Sequence, residues 1–545
     1  MKINILYNKI TLYSSINING SSIGPKINIQ NAHLCKLYET FGFSLPKKIN
    51  GDFAFALYDQ DKKRYFCARD PFSVNELYFT NTESSYHFSD NIEDLISLPH
   101  VEKNPNLQSM KTMLYHRALD YNSTMYENIF RIPPGHFMLI ENGKKVLERY
   151  WYPEEITINY AMSEDEITHR LYSLLKNAIY SRIKDLNHTA FELSGGLDSS
   201  SIVSLLCQDE EAKNIDTYSM SFNGMSCDEG EYIESMLKKY ALNHQKILTS
   251  NLDYKNTFSL HKLYKLSPNW PINLTLAMSI PMYQKMKQDG KHIIITGQGG
   301  DHLFTGSPYM LYELFKRFKF LSLYNELKLY PKQWATIKSY IIKPLLGNKI
   351  LNIMKQFRSK SIPCPFLQNN TDIQELSEKL KLKNTLFKDD LDMITSSFYS
   401  TVMDGNVFHC VEKNFDIKFH HPYLDIDLIE FVLSLPPEMK YKNRTIKWIL
   451  RKTMDGILPD KIRHRKDKAE FSQLIYQQIN AIDLNMILKD SRIVQLGLIE
   501  QSIINKHIND YENKKTKYIL ILWSIINMEY WYRYNFEPDS LKEVL

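Results

Sequence analysis

Residues 189–200 read Thr189-Ala-Phe-Glu-Leu-Ser-Gly-Gly-Leu-Asp-Ser-Ser200 and run on into Ser201-Ile-Val-Ser-Leu-Leu206. Thr189–Leu193 is a short, mostly apolar run of strand length, and the apolar residues after Ser200 open a helix. Between them, Gly195 and Gly196 let the backbone turn tightly, so that several N–H groups aim at one anion in front of the helix. Leu193 and Ser194 lead into the turn. Ser194, Ser199 and Ser200 add hydroxyl donors, and Asp198 adds a carboxylate suited to a metal. The G-x-x-x-x-G-K-[ST] phosphate loop is absent, so this is an anion cradle of another kind.

Working outward, the grammar around this loop is that of a doubly wound parallel sheet. Ser163-x-x-Glu166 is a capping box, followed by Ile167, Leu171, Leu174, Ala178 and Ile179 at helical spacing. Strands are expected at Asp216–Phe222, Lys246–Thr249 and His292–Gly297, with helices over Glu229–Ala241 and near 275–288 between them. In such sheets ligands bind at the carboxyl ends of the strands. The loop Gly297-Gln298-Gly299-Gly300-Asp301 falls at one of these ends, so Asp198 and Asp301 are expected to meet across one site. Two carboxylates together with phosphate oxygens suit Mg2+, a hard cation that prefers oxygen and keeps some waters. Farther on, Arg463-His-Arg-Lys-Asp-Lys468 supplies Arg465 and Lys468, candidate cations for charge that develops on a phosphate.

Residues 1–150 follow a different pattern. Short alternating segments at Asp52–Tyr58, Arg64–Ala68, Glu76–Phe79, Tyr86–Phe88 and Phe137–Ile140 are separated by turn residues, the pattern of stacked antiparallel sheets. Tyr150-Trp-Tyr-Pro153 reads as the exit from this half.

Bulk properties narrow the field. The chain has 545 residues, 43% hydrophobic and 24% charged, enough for at least two domains with their own cores. A net charge of +5 over this length makes no case for nucleic acid. The six cysteines are scattered, with no C-x-x-C spacing, so neither a zinc site nor a redox motif is indicated and a reducing cytoplasmic setting fits. No apolar run is long enough for a membrane span.

Taken together, the motifs resemble first the pyrophosphate loop of ATP pyrophosphatases and then, over nearly the whole chain, the asparagine synthetase family. The resemblance rests on Gly51–Asp59, Ala68–Pro71, Pro133–His136 and the Tyr150-Trp151 exit in the first half. In the second half it rests on the 193–200 loop, Cys227-Asp-Glu229, Gly297–Asp301, Pro422-Tyr-Leu-Asp425, Lys447-x-x-Leu450-Arg451 and Arg465…Lys468…Phe471-Ser472. It implies an N-terminal glutaminase-like (Ntn) αββα sandwich over residues 1–155. Residues 156–545 would form an ATP-pyrophosphatase domain, a doubly wound parallel sheet with added helices. The implied reaction uses ATP and Mg2+ to adenylate a carboxylate that an amine then attacks. It assigns the phosphates to Leu193–Gly196, Asp198–Ser200, Gly297, Gly299 and Gly300, the metal to Asp198 and Asp301, and catalysis to Lys468 and Arg465.

Three departures refine the expectation. The family's glutaminase nucleophile is a cysteine after the initiator methionine, whereas this sequence has Lys2, so the first half is expected to be an inactive scaffold. Lys418 stands where the family carries a glutamate before its proline motif. Pro422 follows Asp301 by 121 positions, with a helical, basic and aromatic insertion at about 305–400 that includes Tyr309, Tyr312, Phe315, Phe318, Phe320, Tyr324, Tyr330 and Trp334. These departures resemble the lasso-peptide cyclases, which join a side-chain carboxylate of a precursor peptide to that peptide's own N-terminal amine in antibiotic biosynthesis. They imply a precursor peptide as partner, with a leader-binding protein and a leader peptidase beside it. An ammonia-using asparagine synthetase, a β-lactam synthetase (disfavoured by Gln298 and Lys418) and a non-catalytic binding paralogue remain alternatives. The base for the amine is left open among His420, His421 and Glu412.

Overall fold

The computed structural model describes residues 5–7, 10–13, 22–23, 31–82, 85–116, 121–209, 214–222, 224–249, 260–271, 274–346, 391, 393–394, 402–467, 471–515 and 519–541. Lys2, Lys468 and most of the insertion beyond 346 lie outside them.

The first half is built of four layers. Strands β1 (Ile5–Tyr7), β2 (Ile10–Tyr13), β3 (Ala54–Asp59), β4 (Arg64–Arg69), β8 (His136–Glu141) and β9 (Lys144–Arg149) form an antiparallel sheet in the order 1-2-3-4-8-9. A second sheet holds β5 (Tyr78–Asn81) between β6 (Tyr86–Ser89) and β7 (Phe130–Arg131). Because strand side chains alternate, each strand feeds two cores. Phe55, Leu57, Phe66 and Ala68 pack on Leu34, Cys35 and Tyr38 of helix α1 (Asn31–Phe41). Ala54, Ala56, Cys67, Met138 and Ile140 face Leu77 and Phe79 in the space between the sheets. On the outer face, Tyr78 packs with Ile92 and Leu95 of α2 (Ile92–Ile96) and Met110 and Leu114 of α3 (Leu107–His116). Two sheets packed face to face with helices on both outer faces give an αββα sandwich.

The second half opens with α4 (Glu164–Tyr180), whose capping box forms as the sequence predicts. Glu166 N donates to Ser163 Oγ at 3.3 Å and Ser163 N donates to Glu166 Oε2 at 2.8 Å. The central sheet holds β10 (Thr189–Glu192), β11 (Asp216–Ser221), β12 (Asn243–Leu248), β13 (Ile293–Ile295) and β14 (Lys418–His420) in the order 12-11-10-13-14. Every pair is parallel. Helices α5 (Leu197–Leu206), α6 (Gly230–Lys239) and α7 (Leu274–Gln288) connect the strands. Strand β12 begins three residues before the expected Lys246, at the polar run Asn243-His244-Gln245. There His244 shares hydrogen bonds with the hydroxyls of Thr217 and Ser219 on the neighbouring strand. Polar side chains at a sheet edge hide such a strand from hydropathy. Strand β14 has three residues and no alternation long enough to read.

The described part of the insertion is helical, with α8 (Met310–Lys316) and α9 (Phe320–Leu327) followed by Gln333–Ile337 and a wide turn over Lys338–Ile342. Its aromatics divide. Tyr309 is buried, and Phe315 and Tyr330 pack against a small core of Met310, Leu311, Leu314, Leu323, Ile341 and Tyr441. Phe318, Phe320, Tyr324 and Trp334 are exposed, Phe318 to 78% and Trp334 to 70%.

The halves are tied by charge. Buried Arg182 lies 3.7 Å from Asp52 of the first half and donates to Asp425 of the second at 3.0 Å. Lys418 donates to Asn75 at 3.3 Å, and the Trp151 indole donates to Glu430 at 3.0 Å. Among the described residues no helix is long and apolar enough to cross a membrane.

Candidate active site

The cradle forms at the carboxyl end of β10. Leu193 N still donates to Tyr218 O at 2.9 Å, and the chain then leaves the sheet. Gly195 turns with φ of 76°, and a Cβ there would stand 2.9 Å from Cβ of Tyr232. Only glycine meets both demands. Ser199 Oγ accepts from Ser194 N at 3.2 Å and lies 3.0 Å from Ser194 Oγ, which in turn accepts from Gly196 N at 3.2 Å. The hydroxyls therefore brace the loop across its mouth. Ser200 Oγ is buried and has no hydrogen-bond partner among the described residues. Behind the loop, the N-terminus of the ten-residue α5 supplies the positive end of its dipole.

The second loop locks onto the first. A Cβ on Gly300 would lie 2.5 Å from Cγ of Asp198, and one on Gly297 would lie 3.0 Å from Ser199 N. Tyr423 donates its hydroxyl proton to Asp198 O at 3.0 Å. The expected meeting of Asp198 and Asp301 is realised around a third residue. Lys447 Nζ lies 2.5 Å from Asp198 Oδ2 and 2.7 Å from Asp301 Oδ1. Its side chain is buried and its backbone is left-handed, with φ of 57°. Strain of that kind persists only where the surroundings impose it. Burial opposes the ammonium charge, but the two carboxylates outweigh it and hold the Lys447 pKa above its ordinary value.

Arg465 also reaches the cradle. Its Nη1 lies 3.4 Å from Gly195 O, its guanidinium stands 4.0 Å from the Tyr232 ring centroid, and it is ion-paired with Glu229. Lys468, the other candidate from this run, falls outside the described residues. Lys447 is the residue at the centre of this site that motif reading undervalued. It was visible as the lysine of Lys447-x-x-Leu450-Arg451, but nothing local told that it closes on aspartates 249 and 146 positions away.

The three positional candidates for a base have structural partners instead. Glu412 accepts from Lys418 Nζ at 2.9 Å and from Phe419 N at 2.8 Å. Burial would raise its pKa, yet Lys418 and His409 outweigh burial and hold it at about 2. His420 Nδ1 lies 3.9 Å from Asp52. His421 Nδ1 is 2.8 Å from Thr296 Oγ1, and burial pushes its pKa down to about 4, so the ring is neutral near pH 7.

The donor set fits magnesium in a limited way. Asp198 and Asp301 are hard oxygen ligands converging on one cation, and no group of three or more ligating side chains exists among the described residues. Phosphate oxygens and water would complete the shell, as magnesium at nucleotide sites requires.

Sequence comparison agrees with this geometry. Residues 170–533 match the asparagine synthase family and residues 7–151 match a glutamine amidotransferase domain. The chain is 24% identical over 439 residues to asparagine synthetase 3 (glutamine-hydrolyzing) of Bacillus subtilis, covering 77% of this chain and 66% of that protein. It is 23% identical over 591 aligned positions to asparagine synthetase 1 of the same organism, covering 99% of this chain and 86% of that one. Amidase chry2 of Gibberella zeae is 28% identical over 174 residues, covering 31% of this chain and 25% of the amidase. With two interlocked glycine loops and a family match across two thirds of its length, the chain belongs to the asparagine synthase family.

Proposed function

We propose that this chain is an ATP-dependent amide synthetase that closes a macrolactam within a precursor peptide. The observation that carries the amide-synthetase part is Lys447 held between Asp198 and Asp301 where the two glycine loops meet. ATP binds with its phosphates on Ser194–Ser200; Asp198 and Asp301 are the residues that would hold Mg2+, which would supply neutralisation of phosphate charge. An oxygen of the substrate carboxylate attacks the α-phosphorus, the bond to pyrophosphate breaks, and an acyl-adenylate forms. Lys447 and Arg465 are the cations beside the cradle for the charge that develops there, and Lys468 is a further candidate from the sequence alone. The amine nitrogen then attacks the acyl carbon, and AMP departs with the bonding pair.

The peptide reading is supported by the insertion, which presents aromatic side chains to solvent where a core would hide them, and by the first half. Residues 1–155 contain only Cys35 and Cys67. Both are buried, and burial pushes their thiols up, to about 11 for Cys35, away from the thiolate a glutaminase nucleophile needs. We read residues 1–155 as scaffold and 156–545 as the synthetase. Tethering carboxylate and amine in one peptide supplies the effective concentration for the second step. A leader-binding protein and a leader peptidase would prepare the peptide, in a cytoplasmic setting. The names of the relatives favour a second reading, in which ammonia attacks aspartyl-adenylate and asparagine forms.

Pyrophosphate release with ATP and Mg2+ separates the two. Release that requires a precursor peptide, with a product lighter by one water, supports the macrolactam. Release with aspartate and ammonia, yielding asparagine, overturns it.

A further inference from the structure

Glu192 is the last residue of β10, directly before the phosphate loop. Alternation along the strand sends Phe191 and Leu193 into the core shared with α4 and α5, and Ala190 to the opposite face with Tyr283 and Phe419. Glu192 belongs to that opposite face, where the hydroxyl of buried Tyr283 on α7 donates to Glu192 Oε1 at 2.8 Å. Tyr218, its register partner on β11, spends its own hydroxyl on Asp289 at 2.9 Å. No cation pairs with this carboxylate among the described residues. The residue as a whole is only partly buried, and it stands at the carboxyl end of β10, two positions before Ser194 of the phosphate loop.

An uncompensated, largely desolvated carboxylate is costly to a fold. Burial here outweighs the Tyr283 hydrogen bond and raises the Glu192 pKa to about 7. Structure alone gives this acid no purpose, because the surrounding cluster is apolar and aromatic. A ligand bearing one positive charge would supply the missing partner. The second half-reaction brings such a ligand to this end of the sheet, since a primary amine near pH 7 arrives as an ammonium ion.

We propose that Glu192, braced by Tyr283, receives the substrate's primary ammonium group and takes its proton, so that the neutral amine faces the acyl-adenylate. This rests on the amide-synthetase reading above. The ammonium gives one proton to the Glu192 carboxylate. The freed lone pair forms the C–N bond, the bond from the acyl carbon to the phosphate oxygen breaks, and AMP leaves with that pair. The nitrogen's second proton leaves with the phosphate, and Glu192 returns its proton to solvent. The ligand class is a protonated primary amine, and the site distinguishes it from a neutral or quaternary one.

The test compares wild type with Glu192→Gln, which preserves shape and an acceptor for Tyr283. With whichever carboxylate supports the reaction, L-aspartate or an encoded peptide, E192Q keeps ATP–pyrophosphate exchange within about twofold. Amide formation falls by roughly 10²–10⁴-fold, the usual contribution of a positioned proton acceptor. Hydroxylamine, neutral at pH 7, restores acyl transfer in E192Q as hydroxamate. Unchanged amide formation in E192Q overturns the proposal, and so does loss of hydroxamate in parallel with amide. If the wild type shows no exchange with any carboxylate, the amide-synthetase reading fails, and infrared difference spectra decide on Glu192. A carboxyl band absent from E192Q that ionises on adding glycinamide hydrochloride supports the ammonium site, and a band indifferent to glycinamide overturns it.

Discussion

The ammonium nitrogen of Lys447 lies 2.5 Å from a carboxylate oxygen of Asp198, although the two residues enter the site from different elements. Asp198 begins a helix after the central strand, whereas Lys447 sits before Trp448–Thr453 far along the chain. Replacing Lys447 with Met should lower ATP–pyrophosphate exchange by roughly 10²–10³-fold, as for loss of one preorganised charge-stabilising donor. Exchange at the wild-type rate in a folded K447M would remove Lys447 from the machinery.

Gly300 touches the same aspartate. A methyl group there would lie 2.5 Å from Asp198 Cγ, so Gly300→Ala must push the carboxylate aside. The expected result is at least tenfold weaker ATP binding, about 1.4 kcal/mol, with far-ultraviolet circular dichroism unchanged. Isothermal titration with ATP and Mg2+ reads it directly.

Acid should weaken the fold in two windows. His421 has its pKa lowered by burial to about 4. An unfolded histidine binds its proton near pH 6.5 and the folded one does not, so stability falls as pH drops from about 6.5 towards 4. Glu412 is held at about 2 by Lys418 and His409 against burial. Its contribution is present above the unfolded carboxylate pKa and is lost as pH falls from about 4.5 to 2. Urea melts from pH 7.5 to 4 should show the first window, on the order of 3 kcal/mol at its end. His421→Asn should flatten that slope.

The thiols of the first half should be inert. Cys35 and Cys67 are buried with pKa values pushed up. Glutamine should therefore yield no glutamate under assay conditions, and iodoacetamide should leave both residues unlabelled in the native protein. Mass mapping after alkylation checks the second statement, and stoichiometric labelling of Cys35 would contradict it.

The exposed aromatics offer a separable readout. Phe318→Ser together with Trp334→Ser should shift stability by no more than about 0.5 kcal/mol, because both side chains are largely exposed and the ring contact of Phe318 is with Phe320, itself exposed. Under the peptide reading, KM for the precursor rises while exchange at saturating peptide is unaltered. A wild-type KM in this variant would place peptide binding elsewhere.

Local signals carried much of this site. The turn at Gly195, the helix after it, the glycine loop before Asp301 and the capping box at Ser163 each announce themselves within a few residues. Side-chain alternation likewise separates the layers of the first half, since Phe55 and Ala56 must face opposite ways. What stayed hidden depends on distance along the chain. Lys447 acquires its meaning only when folding delivers it between two aspartates. Glu192 reads as part of a mostly apolar strand, and only its Tyr283 contact and the lack of a paired cation among the described residues show its peculiarity. Strand β14 is too short to have a period, and the polar start of β12 resembles a loop until His244 is seen bridging two hydroxyls.

The contacts of Arg182 and Lys418 with Asp52 and Asn75 bear on how such a chain can evolve. Removing the first half would leave a buried guanidinium without one of its carboxylates and would strip the amide partner from the strand at the margin of the synthetase sheet. Mutations that erase a reaction in the first half need not disturb these bonds, whereas deletions that erase the half itself must. The lineage is thereby free to forget the chemistry of its N-terminal half and obliged to go on inheriting its shape.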